Sequence, residues 1–275
     1  MGSRRSLGGP LVGGYRLEER LAGGGGGEVY RARHGRTGDP VALKVLRDPR
    51  SLAELERAMA LRHPHLVHIL EAGTDPAGAY VVMELLEGTT LRDVLARRGR
   101  LDLDSALAVL LPVLEALHAA HDRDLVHGDL KPENVFLARA AGGVARVKLL
   151  DLGGFARGPG GEAIFGSAAY LSPEQASGDA LDARSDVFGA GLLLFELVTG
   201  RPPFEAAGPV ATAYQIVHQP APRVGDVRLQ PVLDVALAKS PADRFPGVAA
   251  FADALAVLAP DAALSVAALS ALAKP

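Results

Sequence analysis

The hydrophobic pattern of this chain changes its period once. Up to about Leu86, apolar and polar residues alternate in five short stretches, which indicates β-strands because successive strand side chains face opposite sides of a sheet. Ser51–Leu61 interrupts them with helical spacing. From Thr90 onward the spacing is helical, most clearly in the apolar segments 104–123 and 184–200. The sequence therefore predicts an α+β chain, with a small strand-rich part that contains one helix and a larger helical part after it.

The composition is that of an ordinary globular protein. Of the 275 residues 48% are hydrophobic, enough for a sizeable core, which excludes wholesale disorder. The net charge of -3 argues against a broad nucleic-acid-binding surface, so we expect no nucleic-acid partner. The chain has no cysteine, which excludes disulfides, thiolate metal sites and cysteine nucleophiles. It has no continuous apolar run of about 18 residues, so we expect no membrane span.

We expect both ends to lie outside the folded domain. Glycine and proline interrupt residues 1–14, which predicts a flexible leader. The Ala-rich stretch 260–275 is too short to span a bilayer and is expected to form a C-terminal extension. The sequence leaves open whether this extension is a short extra helix or the start of a longer chain.

A glycine-rich turn, Gly23–Gly27, separates two strand-like stretches. Glycines let backbone N–H groups approach phosphate oxygens, although a plain hairpin turn explains the same residues equally well. A strand follows the turn instead of a helix, so it is not a dinucleotide-binding fingerprint. Lys44 then lies inside an apolar strand, where an ammonium requires an anion. The anion is a phosphate, a carboxylate or both, and Glu54 on the following helix is one candidate.

The densest group of polar residues lies in VHGDLKPENVFL, Val126–Leu137. Pro132 breaks any helix there, so the polar side chains sit on a constrained loop. Asp151 comes fourteen residues later, at the end of an apolar strand and before two glycines. Carboxylate and amide oxygens suit hard cations, so Asn134 and Asp151 together could hold Mg²⁺ and leave Asp129 to meet a hydroxyl.

These segments resemble, in their order and most of their spacings, the eukaryotic-like (Hanks-type) serine/threonine protein kinases of bacteria. The resemblance covers roughly Tyr15–Leu258 and includes the glycine turn, VALK, RHPHLV, YVVMELLEG, HGDLKPEN, DLG, SPE, SDVFGAGLLLFEL and ADRF. It implies a two-lobed protein-kinase fold within a domain spanning 15–259. The β-rich N-lobe would span 15–86 and the helical C-lobe 87–259.

The resemblance implies an ATP site made largely from the N-lobe. Lys44 would hold the α- and β-phosphates, and Glu54 would hold Lys44. The other positions would cover the phosphates (Gly24 and Gly27), enclose the purine (Val29, Ala42 and Leu137), act as gatekeeper (Met83) and bond the adenine edge through their backbone (Glu84 and Leu86).

The resemblance also implies which residues carry out phosphoryl transfer. Asp129 would accept or orient the proton of the substrate hydroxyl, and Lys131 would steady the γ-phosphate. Asn134 and Asp151 would ligate Mg²⁺, with Mn²⁺ as an alternative, and Ser167 would contact Asp129. Three further positions look structural. Glu174 would pair with Arg244, and Asp186 would brace the catalytic loop.

Two departures from the family pattern matter. Gly128 replaces the arginine that binds a phosphorylated activation loop in many relatives, and the chain has no Ser, Thr or Tyr between Asp151 and Gly166. We therefore predict activity that does not depend on activation-loop phosphorylation. Only ten residues separate Lys44 from Glu54, which predicts a short helix of about three turns. Glu54 either pairs with Lys44 or caps its own helix, because Ser51 precedes it by three residues.

The sequence thus predicts an ATP- and Mg²⁺-dependent protein serine/threonine kinase that acts on hydroxyls of protein substrates. A pseudokinase, which would bind nucleotide with little turnover, is the alternative. The kinase hypothesis also allows self-association for autophosphorylation. We expect a cytoplasmic location, either as a separate protein or as the intracellular domain of a longer membrane protein.

Overall fold

The computed structural model describes residues 9–24, 26–48, 52–76, 78–139, 145–152, 168–258 and 266–273, with the backbone alone described for 52–54 and 266–267. These residues form two compact units. The first unit comprises the described residues up to Ala60 together with His68–Leu86. The second unit comprises Leu61–Val67 and the described residues from Glu87 onward.

The first unit is a six-stranded antiparallel sheet with one helix, α1, spanning Leu52–Met59. Its strand order is β1-β2-β3-β4-β6-β5. The strands are β1 (Leu11–Val12), β2 (Tyr15–Gly24), β3 (Gly27–His34), β4 (Pro40–Leu46), β5 (Ile69–Asp75) and β6 (Gly78–Glu84). Four of the five alternating stretches of the sequence are confirmed as strands. The helix has eight residues, about two turns instead of the predicted three.

The two faces of this sheet have different roles. One face carries its hydrophobic core, in which each buried aliphatic side chain contributes roughly 1.5–3 kcal/mol. That core consists of Val12, Tyr15, Leu17, Ala32, Val41, Leu43, Tyr80 and Val82. Because side chains alternate along a strand, the residues between these positions, Lys44 among them, face the other side.

One predicted strand is only partly correct. The stretch Leu66–Gly73 is predicted as one strand, but β5 begins at Ile69. Leu66 instead forms a parallel bridge with Leu149 in the second unit, and the N–H of Val67 donates to the carbonyl of Leu149 at 3.0 Å. Apolar residues lie on both sides of this point, so the sequence pattern alone could not show which sheet each residue joins.

The second unit is mainly helical, with a three-stranded sheet in the order β7-β8-β9. The strands are β7 (Gly88–Thr90), β8 (Val135–Arg139) and β9 (Ala145–Leu149). The helices are α2 (Leu91–Arg98), α3 (Leu103–His121), α4 (Pro173–Ser177), α5 (Ala183–Thr199), α6 (Pro209–His218), α7 (Gln230–Ala236), α8 (Val248–Ala256) and α9 (Val266–Leu272).

Helices α3 and α5 confirm the two long helices that the spacing predicts. Each begins at an aspartate, Asp102 or Asp182, whose side chain accepts a backbone N–H of the first turn. Of the described helices, α3 alone is long and apolar enough to cross a bilayer by length and composition, but 61% of it is buried inside the unit. Burial in the core accounts for its apolar character.

Candidate active site

The register of the first unit brings four predicted ATP-site residues onto one sheet face. Lys44 in β4 is only 7% exposed, and it pairs with Val29 on β3 and Val81 on β6. Ala42, two residues earlier on β4, pairs with Met83 on β6. Residues directly opposite in an antiparallel pair share a face, as do residues two apart on one strand. Val29, Ala42, Lys44 and Met83 therefore lie on the same face, opposite the core of the unit.

The glycine turn lies at the tip of the β2–β3 hairpin, where Gly24 and Gly27 are register partners. Gly27 has a φ of 143°, and a Cβ there would lie 2.0 Å from the carbonyl oxygen of Val45. A Cβ at Gly24 would meet no heavy atom of the described structure within 4 Å. The fold itself thus requires glycine at position 27, whereas packing does not require it at position 24.

The remaining predicted residues of the first unit lie at element ends. Glu84 ends β6, and both its N–H and its carboxylate bond the backbone of His68, each at 2.9 Å. Leu86 follows two residues later and is half-buried. Glu54 lies in α1, but its side chain is outside the described residues, so neither the Lys44 pair nor the helix cap is tested.

In the second unit, Asp186 holds the backbone of the loop that precedes Asp129. Its side chain, which is 1% exposed, accepts the N–H groups of His127 and Gly128, each at 2.8 Å. It also accepts a hydrogen bond from Nε2 of His121 at 2.7 Å. One buried carboxylate from α5 thus satisfies two loop amides and a histidine of α3.

His127 connects this loop to the end of β9. Its Nδ1 accepts the N–H of Asp129 at 3.2 Å, so the ring proton of a neutral imidazole lies on Nε2. Nε2 then donates to the carbonyl of Leu150 at 2.9 Å. The buried histidine therefore links the residue before Asp151 with the peptide of Asp129.

Asp129 is held by side chains of its own loop. Its Oδ2 accepts hydrogen bonds from Nζ of Lys131 at 2.6 Å and from Nδ2 of Asn134 at 3.0 Å. Nδ2 of Asn134 also donates to the backbone carbonyl of Asp129 at 2.8 Å. Within the part of the chain that the structure describes, both of these bonds end on Oδ2, so Oδ1 is the oxygen able to accept a further hydrogen bond.

Asn134 and Asp151 are brought close by the β8–β9 hairpin. Val135 pairs with Leu149, and the N–H of Leu150 donates to the carbonyl of Asn134 at 2.8 Å. Asp151, the next residue, has a φ of 57°, a left-handed conformation that aspartate tolerates better than most residues. The amide nitrogen of Asn134 is bonded to Asp129, which leaves its side-chain oxygen for another partner; this oxygen and the Asp151 carboxylate are donors of the kind that a hard divalent cation prefers. Leu137 is fully buried in β8.

Glu174 and Arg244 form a buried bidentate pair, with both nitrogen–oxygen distances 2.7 Å. The other donors of the guanidinium reach the carbonyls of Ala238, Arg184 and Lys239. Burial alone would raise the pKa of Glu174, but hydrogen bonds from Arg244 and Ser185 hold that pKa below its ordinary value. Ser167, the remaining predicted site residue, lies outside the described residues.

The sequence analysis missed a second polar network beside this loop. Arg92 of α2 donates to Glu133 at 2.8 Å and to the buried Glu196 of α5 at 2.7 Å. The hydroxyl of Tyr170 donates to Glu196 and accepts a hydrogen bond from Arg92. Burial and Glu196 together raise the pKa of Tyr170 above its ordinary value. A glutamate inside the apolar helix sequence LLLFEL was a usable signal, because a buried carboxylate requires a partner.

Comparison with known proteins places the chain in a family. The family model described as the protein kinase domain matches residues 15–245. A probable serine/threonine-protein kinase of Streptomyces coelicolor is 40% identical over 262 residues, which cover 86% of this chain and 38% of that protein. Serine/threonine-protein kinase PknB of Mycobacterium tuberculosis is 38% identical over 258 residues, covering 84% of this chain and 40% of PknB.

PknB of Mycolicibacterium smegmatis is 39% identical over 256 residues, covering 84% of this chain and 40% of that kinase. The chain thus spans about two fifths of the length of these relatives. The matches confirm the predicted resemblance and the α+β fold class. The chain belongs to the protein kinase domain family.

Proposed function

We propose that this domain is a protein serine/threonine kinase that transfers the γ-phosphate of ATP to Ser and Thr hydroxyls of protein substrates. The protein kinase family uses ATP and a divalent metal in general. For this chain the proposed metal is Mg²⁺, with Mn²⁺ able to replace it. The proposed domain boundaries are residues 15 and 259, and β1 and α9 pack onto this domain from outside them.

The observation that carries the proposal is the geometry of Asp129. Two donors from its own loop bind Oδ2, which fixes the orientation of the carboxylate. Oδ1 is then the oxygen that can accept a hydrogen bond from a substrate. A carboxylate held in this way is suited to orient a substrate hydroxyl and to take its proton as the oxygen attacks phosphorus. Holding it in place beforehand favours the transfer, because phosphoryl transfer depends mainly on positioning and charge stabilisation.

Cationic groups and the metal ligands would provide the charge stabilisation. Lys131 lies beside Asp129 and would neutralise the transferring phosphoryl group. Asn134 and Asp151 would hold the metal, which supplies positive charge to the phosphate oxygens when bound. On the first unit, Lys44 would bind the phosphates, with Val29, Ala42 and Met83 on the same face against the purine. The N–H of Glu84 bonds His68, so adenine recognition there would fall to its carbonyl.

Activity is proposed not to require a phosphorylated activation loop. Gly128 offers no side chain to a phosphate, and no Ser, Thr or Tyr lies between Asp151 and Gly166. The backbone of the catalytic loop is already bonded to Asp186 and His127. These contacts consist of protein groups alone, so they are available to the enzyme without modification.

The partners and location follow from the same reasoning. Protein substrates bearing Ser or Thr are proposed, together with self-association where the kinase phosphorylates its own copies. The proposed location is the cytoplasm, where ATP is abundant. The relatives are more than twice as long as this chain. We therefore also propose kinase activity for any longer protein that contains this domain.

The proposal is tested by incubating the purified chain with labelled ATP, Mg²⁺ and a generic basic protein. Transfer by the wild type is expected to fall by at least about 10³-fold in Asp129→Asn. The exposed Asp122→Asn is the matched control and is expected to retain activity. Nucleotide-induced thermal stabilisation without transfer by the wild type would instead indicate a pseudokinase. Absence of both would reject nucleotide binding.

A further inference from the structure

Gln175, in the first turn of α4, bonds two separate parts of the second unit. Its Oε1 accepts the N–H of Ser172 at 2.8 Å, and its own N–H donates to Oγ of Ser172 at 3.3 Å, which forms a capping box. Its Nε2 donates to the carbonyl of Gly128 at 2.5 Å. Because a backbone N–H faces one end of the amide, that end is the oxygen, and the NH₂ group faces Gly128.

The bond to Gly128 acts on the peptide that leads into Asp129. The carbonyl of Gly128 and the N–H of Asp129 belong to the same peptide plane. Gln175 holds the carbonyl end of this plane, and Nδ1 of His127 holds its N–H end at 3.2 Å. The orientation of the plane, and with it the direction in which the Asp129 side chain leaves the backbone, is therefore fixed from both sides.

Gly128 is also the position in this loop where backbone freedom is greatest. Its φ is 67°, in the left-handed region, which glycine enters without steric cost. The absence of a side chain leaves more conformations for the backbone to choose among than any other residue would. A hydrogen bond to this carbonyl therefore limits motion at the residue before the proposed base.

We propose that Gln175 is a positioning residue for Asp129, acting through its hydrogen bond to the Gly128 carbonyl. The inference rests on the proposed function and names a residue of that site which the sequence motifs do not single out. Among the described residues, the hydrogen bonds of the Gln175 side chain go to Ser172 and Gly128, and not to the carboxylate of Asp129 or its two side-chain donors. Its effect is on the placement of the base, since misplacing a catalytic group by about 1 Å can cost 10²-fold in rate.

The most informative variant is Gln175→Glu. The new side chain keeps an oxygen for the N–H of Ser172, so the cap of α4 survives. It replaces the NH₂ donor by an oxygen that repels the carbonyl of Gly128. We expect kcat to fall about tenfold and KM for ATP to stay within about twofold. Tm should fall as well, because the carbonyl of Gly128 loses its donor, so kcat is the deciding readout.

The matched control is Ser172→Ala, which removes the hydroxyl that caps α4 and leaves the amide bond to Gly128 in place. It should lower Tm and leave kcat close to that of the wild type. If Gln175 served only the helix cap, Gln175→Glu would leave kcat unchanged, as Ser172→Ala does. A value of kcat in Gln175→Glu equal to that of the wild type would overturn the proposal.

Hydrogen–deuterium exchange provides a readout that does not depend on turnover. Faster exchange is expected at the amides of Val126–Leu137 in Gln175→Glu and not in Ser172→Ala. If the wild type transfers no phosphate, the proposed function fails and this measurement still decides the role of Gln175. Unchanged exchange in this loop would reject the positioning role.

Discussion

The candidate residues of the first unit and those of the second are held in place by different forces. On the sheet of the first unit, Val29, Ala42, Lys44 and Met83 share a face because of strand register and alternation. In the second unit, Asp129 is held by directed hydrogen bonds from neighbouring side chains. The sheet face depends on a backbone pattern that many side chains satisfy, whereas the catalytic loop depends on particular polar groups.

We therefore expect substitutions that disturb the catalytic loop to change stability, and substitutions on the sheet face to change activity alone. Removing a polar group from the catalytic loop leaves buried donors without partners, which costs free energy of unfolding. Replacing a side chain on the sheet face leaves the strand ladder intact, so the loss should appear mainly in nucleotide binding. Four measurements test this contrast.

The largest effect is expected for Asp186→Ala. This change leaves the N–H groups of His127 and Gly128 and the ring of His121 without their acceptor, so we expect a loss of about 4 kcal/mol in the free energy of unfolding. Urea denaturation measures it. The control Asp182→Ala removes a half-exposed helix cap and should cost only about 1 kcal/mol. Equal losses of free energy in the two variants would show that the bonds from Asp186 to the catalytic loop contribute no more stability than a half-exposed helix cap.

Lys44→Met tests the sheet face. Methionine keeps the apolar stem and the strand pairing, so we expect the free energy of unfolding to change by less than about 1.5 kcal/mol. Without the ammonium, kcat/KM for ATP should fall about 10²-fold or more, and nucleotide should no longer raise Tm. A large loss of stability with normal ATP binding would reverse the assignment of Lys44.

The two glycines of the hairpin tip separate a requirement of the fold from a requirement of the ligand. Gly27→Ala forces a methyl group against the Val45 carbonyl at a φ of 143°, so it should destabilise the first unit by about 2 kcal/mol. Gly24→Ala meets no neighbour and should change stability by less than about 0.5 kcal/mol. A raised KM for ATP in Gly24→Ala would show that this glycine serves the phosphates. An equal stability loss in both variants would contradict the packing difference.

The smallest expected effect is the pH dependence that Glu174 contributes. Its pKa in the folded chain lies below the ordinary value of 4.5, so its stabilising contribution is complete above about pH 4.5. That contribution is lost as the pH falls through the folded pKa, because the unfolded chain takes up the proton first. Urea unfolding between pH 6 and 3 should show that the free energy of unfolding declines as the pH falls. This decline should be weaker in Glu174→Gln than in the wild type. An identical decline in that variant would assign the acid sensitivity to other groups.

Much of the fold could be predicted because one side of most elements is buried. Alternation located β3 and β4, and the apolar segments located α3 and α5 to within one or two residues. Local pattern could not assign Leu66 and Val67 to a sheet. Their pairing with Leu149 is a long-range contact, and an apolar residue fits either partner.

In the candidate site, too, contacts between residues that are close in sequence could be predicted, and contacts between distant residues could not. Asp129, Lys131 and Asn134 lie within six residues, so their association follows from the loop sequence. The contact between Gln175 and Gly128 joins residues 47 apart, and that between Arg92 and Glu196 joins residues 104 apart. Nothing in the spacing of a single sequence states which distant polar groups meet, because tertiary packing decides it.

The last helix has a consequence for joining this domain to other chains. Leu269 and Leu272 of α9 are buried, α9 packs against α3 and β9, and the carbonyl of Ala271 accepts a hydrogen bond from Arg98 at the end of α2. A linker to a following polypeptide would therefore begin after α9, a helix that is packed on α3 and β9, and not at the end of α8. The linker of a reporter or affinity tag attached there should be designed with a length counted from the end of α9.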